Sequence, residues 1–482
     1  MKSGNRSLPV AAALLFAAAL SAQPPAINQE GIFNAASRTS PSLPYGALAP
    51  GSRVTIEGLR FEQNSEVRLG SRTLQILSAT RTRLDVLLPA QLPLGPSSVT
   101  VSNRDGVSRP FPVRVAAAGL GLYSTNGKGW GPARMERPFV LTGTGLGAER
   151  HPEIFIAGRR ARLIRAAPRP GEPGIDEIEF EPPAGTPEGC FVPVLARLPD
   201  GAVSNTVAVP IGRCTPPDVR GDSFLLLGRI FAHIRPYSLH PKDFTQDFGA
   251  AVFAPQSVIA TLLNPWSFSP PVGACTVYTG RFYSDVGEST LPGFFAGAIG
   301  AQGRAVGRAV AIRGHGAEAA LPGDLDTAGF YYANLGIDKT LFRPGPPLFL
   351  SPGDYTLSWT GGAANLTMPR PFTWKNASRL ETLDRAAGVT VEWRDNPAPR
   401  IGILAVSVQS DTTAMAAAFC VAAGRSGRFH IPPEVLANLP PGPLQPGLPT
   451  NLLILAPLPD LVRASGGLSL ATTIRAQSVT WR

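Results

Sequence analysis

The sequence is short of the residues that build catalytic and metal centres. Of 482 residues only five are histidine, four cysteine and four methionine, and charged residues make up 16%. No two cysteines form a CxxC pair, no two histidines stand four apart, and no G-x-S-x-G precedes a helical pattern. These absences remove the thiol-redox, zinc-hydrolase and α/β-hydrolase signatures. After residue 22 no stretch reaches 18 consecutive apolar residues, which excludes a membrane-spanning helix from that part of the chain. What is abundant is glycine (51) and proline (50), alongside a hydrophobic fraction of 44%. Disordered proline-rich chains lack that apolar content; many short strands joined by Gly/Pro turns satisfy both facts.

The first 22 residues read as a secretory signal peptide. Lys2 and Arg6 give a charged start, Val10–Leu20 an apolar core too short to anchor, and Ala19, Ser21 and Ala22 small residues for cleavage before Gln23-Pro-Pro. The expectation is therefore an exported chain, in the periplasm, at the cell surface or beyond it, with no transmembrane segment in the mature part. Formal net charge is +10 and thinly spread; only Arg159, Arg160, Arg162 and Arg165 cluster. Nucleic-acid binding wants a basic stripe with interleaved aromatics and is not expected. Arg159 and Arg160 stand as candidate contacts for an anionic surface, against the plainer reading of a solvated basic face.

A strand-and-turn pattern organises the chain and is read twice. Pro50-Gly-Ser-Arg-Val-Thr-Ile-Glu-Gly58 followed by Glu66-Val-Arg-Leu-Gly70 returns, loosened, as Arg137-Pro-Phe-Val-Leu-Thr-Gly143 followed by Glu153-Ile-Phe-Ile-Ala-Gly158. Each is an alternating strand, a glycine turn and a short second strand, the opening of a β-sandwich. In the first copy, strands are expected near 53–57, 66–69, 72–78, 83–88, 97–102 and 110–115, after an extended lead-in from Gln23 to Arg53. Gly201-Ala-Val-Ser-Asn205 echoes Gly106-Val-Ser-Arg109. A glycine-rich connector, 116–135, joins the copies; it lacks the Lys-Ser/Thr ending of a phosphate loop. Beyond Thr215, Asp222–Ile234 suggests a strand pair or a buried helix, and further strands are expected over 388–393, 402–409, 416–422, 451–456 and 468–481.

Four cysteines in an oxidising compartment predict two disulfides. Cys190 opens a strand, 199–202 form a turn, and Cys214 follows the returning strand. An antiparallel register centred on residue 202 sets the two sulfurs opposite each other. That leaves Cys275 with Cys420, closing 145 positions, a loop worth about 4–5 kcal/mol in the chain-entropy model.

Asn34-Ala-Ala-Ser37, Ala49-Pro-Gly-Ser52, the glycine connector, Gly189-Cys-Phe-Val-Pro-Val194 and Val203-Ser-Asn-Thr-Val-Ala-Val209 resemble tandem IPT/TIG-type immunoglobulin-like domains. More closely, they are similar to those of a large family of exported bacterial β proteins. The resemblance extends to Gly273-Ala-Cys-Thr-Val-Tyr278, Leu350–Leu357, Phe372–Asn376, Gly388–Trp393 and Phe429–Pro433, which match that family's C-terminal β domain. Residues 302–345 depart from the pattern. The resemblance implies fold and brings no catalytic residues.

The fold class expected is all-β: tandem immunoglobulin-like β-sandwiches followed by a larger β-sandwich region of one or two lobes. The boundaries are a signal peptide 1–22, sandwiches over 23–116 and 117–214, and a C-terminal region 215–482 with a candidate split near 370. No cofactor and no metal is implied: His233 and His240 are seven apart in an apolar stretch, and Asp324 and Asp326 lack further calcium ligands. Glu392 beside Trp393 invites a glycosidase reading, but strand neighbours point to opposite faces. Trp359 and Trp393, with Trp374 and Trp481, are candidates for a sugar-stacking platform against the commoner fate of core packing. The reading is a secreted non-enzymatic protein of adhesion, structure or recognition, partnered by envelope polysaccharide or another surface protein. Polysaccharide binding as such is the second reading and a secreted hydrolase the third.

Overall fold

The computed structural model describes residues 23–148, 151–216, 218, 221–234, 242–263, 268–281, 299–338, 346–409, 414–442, 451–459, 462–464 and 467–482. The signal-peptide stretch and His240 lie outside them. Among the described residues no helix is long and apolar enough to cross a membrane.

The first sandwich is built from β1 (Ala26–Asn34), β2 (Arg53–Leu59), β3 (Glu66–Leu69), β4 (Arg72–Thr73), β5 (Gln75–Ala79), β6 (Arg83–Leu87), β7 (Gly95–Asn103), β8 (Gly106–Val107) and β9 (Phe111–Val115). One sheet has the order β1-β2-β6-β5; the other runs β4-β3-β7, with β8 and β9 both on β7. That is the immunoglobulin arrangement, with strands A-B-E-D facing C′-C-F-G. Alternation places Val54, Ile56, Val67, Leu69, Leu84, Val86, Val99, Val101, Val113 and Val115 in one core.

The second sandwich repeats it with β10 (Gly121–Leu122), β11 (Met135–Arg137), β12 (Val140–Thr144), β13 (Glu153–Ile156), β14 (Arg159–Arg160), β15 (Arg162–Pro168), β16 (Asp176–Glu181), β17 (Gly189–Arg197) and β18 (Val207–Ile211). Its sheets are β10-β12-β16-β15, with β11 on β12, and β14-β13-β17-β18. The echoed Val-Ser pair has a physical cause. Ser108 Oγ accepts the N–H of Val101 (3.0 Å) and donates to the Arg109 carbonyl. Ser204 Oγ likewise accepts from Ala196 (2.9 Å) and donates to Asn205. Both serines are buried, each satisfying backbone where the strand turns out of the sheet.

The lead-in expected before Arg53 holds a nine-residue edge strand, β1. Polar Asn28, Gln29 and Glu30, and a register shift between Ile27 and Ile32, hide its alternation. The glycine connector is a packed joint and not a loose linker. Asn34, 4% exposed, donates from Nδ2 to the carbonyls of Gly119 (2.8 Å) and Thr144 (3.0 Å). Its Oδ1 accepts from Ala36 (2.9 Å) and Ser37 (3.2 Å). From the other side Asn205 accepts from the N–H of Leu122 and donates to the carbonyls of Leu122 and Gly129. Glycine is required for contact: a Cβ on Gly121 would stand 2.4 Å from Asn34 Oδ1, and one on Gly129 (φ +77°) 2.0 Å from the Ser37 carbonyl.

From residue 223 onward two lobes share one sheet. Nine strands form it, in the order Ala274–Arg281, Ala414–Ala423, Arg400–Val408, Asn451–Leu458, Gly467–Ser478, Ser223–Ile234, Lys242–Phe253, Phe330–Asp338, with Val462–Ala464 on Gly467–Ser478. Ser223–Ile234, expected as a strand pair or a helix, is one twelve-residue strand paired parallel with Gly467–Ser478. Both faces are buried over Phe224–Leu227, so its sequence shows no alternation there. One half of the sheet is covered by the strands 309–314, 317–322, 353–359 and 362–368, enclosing Leu225, Leu227, Phe253, Tyr355 and Leu357. The other half is covered by strands at 373–374, 389–394 and 428–431, enclosing Ile401, Ile403, Leu453, Leu455, Trp393 and Trp481.

Both expected disulfides are present. Cys190 bonds Cys214 at a Cα separation of 5.2 Å. The hairpin register is Val192 with Val209 and Gly189 with Ile211, so Cys214 lies beyond the last paired residue, not opposite Cys190. A left-handed Gly212 (φ +66°) turns the chain there. Cys275 and Cys420 are direct partners on neighbouring antiparallel strands, with Cα atoms 4.0 Å apart. This bond is a rung within the shared sheet.

Candidate ligand groove on the shared sheet

Trp393 does not offer a surface ring. It is 2% exposed, its indole N–H donates to the Gly424 carbonyl at 2.8 Å, and its strand neighbour across the sheet is Trp374. Trp374 and Trp481 are buried in the same core. Trp359 packs on Phe253 (5.1 Å between ring centroids) at the rim of the other core. Trp359 and Trp393 therefore belong to different lobes, and the pair forms no platform. Trp374, Trp393 and Trp481 pack inside their core, and Trp359 is half-buried at the edge of its own.

Arg159 and Arg160 form the exposed β14, paired with Ile156 and Phe155. Arg160 sits 3.0 Å from Glu153, which also pairs with Arg197. Arg162 pairs with Glu181, and Arg165 with Glu177 at 2.5 Å. The basic run is thus the cationic half of a mixed-charge ladder, whose acidic partners come from the neighbouring strands β13 and β16. Asp324 turns back on its own loop, accepting the N–H groups of Asp326 (3.0 Å) and Thr327 (2.7 Å). Among the described residues no group of three His, Cys, Asp or Glu side chains is placed to hold a metal ion.

A site that the sequence reading did not single out lies on the shared sheet. Between the two cores, one sheet face carries a polar band instead of apolar residues. At its inner end Asp247, fully buried, accepts Arg229 Nε (2.6 Å) and Nη2 (2.8 Å) and the N–H of Leu350 (2.7 Å). This closed ion pair ties the 346–352 segment to the sheet. Further along, a groove of about 280 Å³ opens over Phe231, His233, Asp243, Thr245, Arg475 and Gln477, with Trp374 and Ala377 as one wall and Asp338 at its far side.

Register fixes the floor. Arg475, Phe231, Thr245 and Asp338 lie in one row across four strands; Gln477, His233 and Asp243 form the next. His233 Nδ1 meets Asp243 Oδ1 at 2.8 Å. Gln477 Nε2 donates to the Ala377 carbonyl (3.0 Å). Arg475 Nε donates to the Phe372 carbonyl (2.7 Å), and its guanidinium lies over the Phe231 ring (4.5 Å to the centroid) and near that of Phe372 (5.6 Å). Its Nη donors meet no carboxylate among the described residues, and burial pushes its pKa below the ordinary value. The signal for this site was in the sequence: Arg229 and His233, and Arg475 and Gln477, interrupt apolar strands at alternate positions. What the sequence could not show was the parallel pairing of two strands more than two hundred residues apart.

Strand order and core define the class: an all-β protein of tandem immunoglobulin-like sandwiches joined to a two-lobed β domain. No protein-family model matches the chain, and no curated protein does. Among solved structures it is similar to a γ-CGTase from alkalophilic Bacillus clarkii (13% identity, 40% of this chain, TM-score 0.17), of whose length it covers 27%. It is also similar to the Bacteroides ovatus surface glycan-binding protein SGBP-B of a mixed-linkage glucan locus (13%, 45% of this chain, 68% of that chain, TM-score 0.22). A tandem of titin immunoglobulin domains, A164–A165, matches at 13% (40% of this chain, 98% of that chain, TM-score 0.15). Likenesses this shallow carry no functional argument, and the fold stands on the chain's own strand order.

Proposed function

We propose that the protein is a non-enzymatic recognition or adhesion protein of the cell surface or extracellular space, its sandwiches being of the IPT/TIG type. The observation that carries this reading is where the buried polar groups go. Asn34, Asn205, Ser108, Ser204 and the Arg229–Asp247 pair all bond backbone or each other to lock joints and turns. Such an arrangement holds binding surfaces in fixed relation. Export, from the signal-peptide pattern, agrees with two disulfides.

Polysaccharide as the partner is favoured by one specific feature, the groove on the shared sheet with its unmatched Arg475. Arg159 and Arg160 remain a secondary candidate surface, half neutralised by Glu153. The test is a pull-down of the oxidised protein with insoluble envelope polysaccharides and with surface-protein extracts, at low and at high salt. Saturable retention that survives 0.5 M salt supports recognition. Retention lost with added salt indicates diffuse basic charge and counts against it. Turnover of any polysaccharide offered would overturn the non-enzymatic reading.

A further inference from the structure

The groove has a polarity along its length, and that polarity selects a ligand. At one end stands Arg475, held flat between Phe231 and Phe372, with one N–H used on backbone and its Nη donors turned to no acid. At the other end stands Asp338, with Asp243 one strand nearer; the His233 that Asp243 meets lies on the strand next to that of Arg475. Adjacent strands lie about 4.8 Å apart, so three strand spacings put the two ends roughly 14 Å from each other. Thr245 offers a hydroxyl between them.

We infer that this groove binds an oligosaccharide carrying a single uronic-acid carboxylate, with the carboxylate on Arg475 and neutral hydroxyls on Asp338 and Asp243. A guanidinium presents paired N–H donors that fit a carboxylate in two parallel bonds. Carboxylates at the far end accept O–H donors from neutral sugar rings and repel a second negative charge. The span exceeds one sugar ring, which selects an oligomer. An unpaired, half-buried cation is costly to keep, and an arriving carboxylate relieves that cost. A fully anionic polymer matches only the Arg475 end. The inference rests on the recognition reading given above and adds the ligand class and its orientation.

The test is calorimetric titration of the oxidised protein with three tetramers: an aldotetraouronic acid (one glucuronic acid on xylotriose), neutral xylotetraose and tetragalacturonate. The singly charged tetramer should bind saturably and at least about tenfold more tightly than xylotetraose. Arg475→Gln should remove that preference. Because Arg475 also ties down Phe372, a second variant acts on the exposed end and leaves packing alone. Asp338→Asn should weaken the singly charged tetramer several-fold while strengthening tetragalacturonate, since it removes an acceptor and a repulsive charge together. Diffuse basic charge predicts no such crossover. Absence of binding by the singly charged tetramer, equal binding of xylotetraose, or indifference to Asp338→Asn would each overturn the inference. Polysaccharide retained in the pull-down regardless of both variants would remove the groove and leave the recognition reading standing.

Discussion

Replacing Asn34 by alanine tests whether the joint between the two sandwiches is rigid. The side chain is 4% exposed and makes four hydrogen bonds, two donated across the joint to Gly119 and Thr144 and two accepted from Ala36 and Ser37. Truncation leaves two carbonyls and two N–H groups without these partners. A buried group stranded in this way costs about 1–3 kcal/mol, and a bond re-formed with water costs far less. Water entering the vacated space satisfies part of the set, so the expected loss is about 2–4 kcal/mol. For a unit of this size that lowers the melting transition by roughly 5–12 °C. Asn34→Asp should be no milder, because it keeps the acceptor and turns a carboxylate toward two carbonyl oxygens. The assay is calorimetry of the oxidised protein, with limited proteolysis read at 116–131 and small-angle scattering for the sandwich-to-sandwich distance. Earlier melting, new cleavage in the connector and a broader distance distribution are expected together. A transition within one degree of the parent, with the connector still uncut, would show that the glycines form a loose tether and refute the reasoning.

Asp247→Asn should destabilise the C-terminal region by about 3–5 kcal/mol, measured by urea denaturation, because Arg229 loses its charge partner inside the protein. Cys275→Ala with Cys420→Ala should cost up to about 4–5 kcal/mol by the loop-entropy model; the melting temperature of the double variant should then cease to respond to reductant at that bond. Asp85 links the first sandwich to pH. Burial raises its pKa, but hydrogen bonds from Thr55, Arg83 and Ser78 outweigh burial and hold it below the ordinary 3.8. A lowered folded pKa contributes stability that is complete above the unfolded value and is lost as pH falls through the folded one. Melting of the first sandwich should therefore steepen in acid dependence below about pH 4, and Asp85→Asn should flatten that slope.

How much of this was legible depended on whether a feature is local. The alternation at Val99, Val101, Val113 and Val115 announced strands and faces, and the repeat at Gly58 and Gly143 announced two copies. The disulfide partners were legible, but their register was not: the hairpin turns about a point between residues 200 and 201 and not about residue 202, so Cys214 falls past the end of the ladder. Core packing was the commoner expectation for the tryptophans, and Trp374, Trp393 and Trp481 follow it; what was not legible is which strands bury them. Trp393 is buried by strands at 400–408 and 428–431 that sequence alone does not set against it. The role of Asn34 in the joint was not legible, because its partners, Gly119 and Thr144, are 85 and 110 positions away. The polar residues of the groove stood out along their strands, but their meeting did not, its floor being assembled from four strands spread from residue 231 to residue 477.

The parallel pairing of Ser223–Ile234 with Gly467–Ser478 puts the last long strand of the chain in the middle of the largest sheet. The strands 400–408 and 414–423, with 451–458, have no route to the strands 242–253 and 330–338 except through it. A ribosome or a translocon delivers residues in order, so the halves of this sheet wait, unjoined, until residues 467–478 emerge. Loop closure over such a separation is slow. Truncation before residue 467 therefore splits the domain down its centre, and a stop codon near residue 465 should abolish folding of this region as one unit.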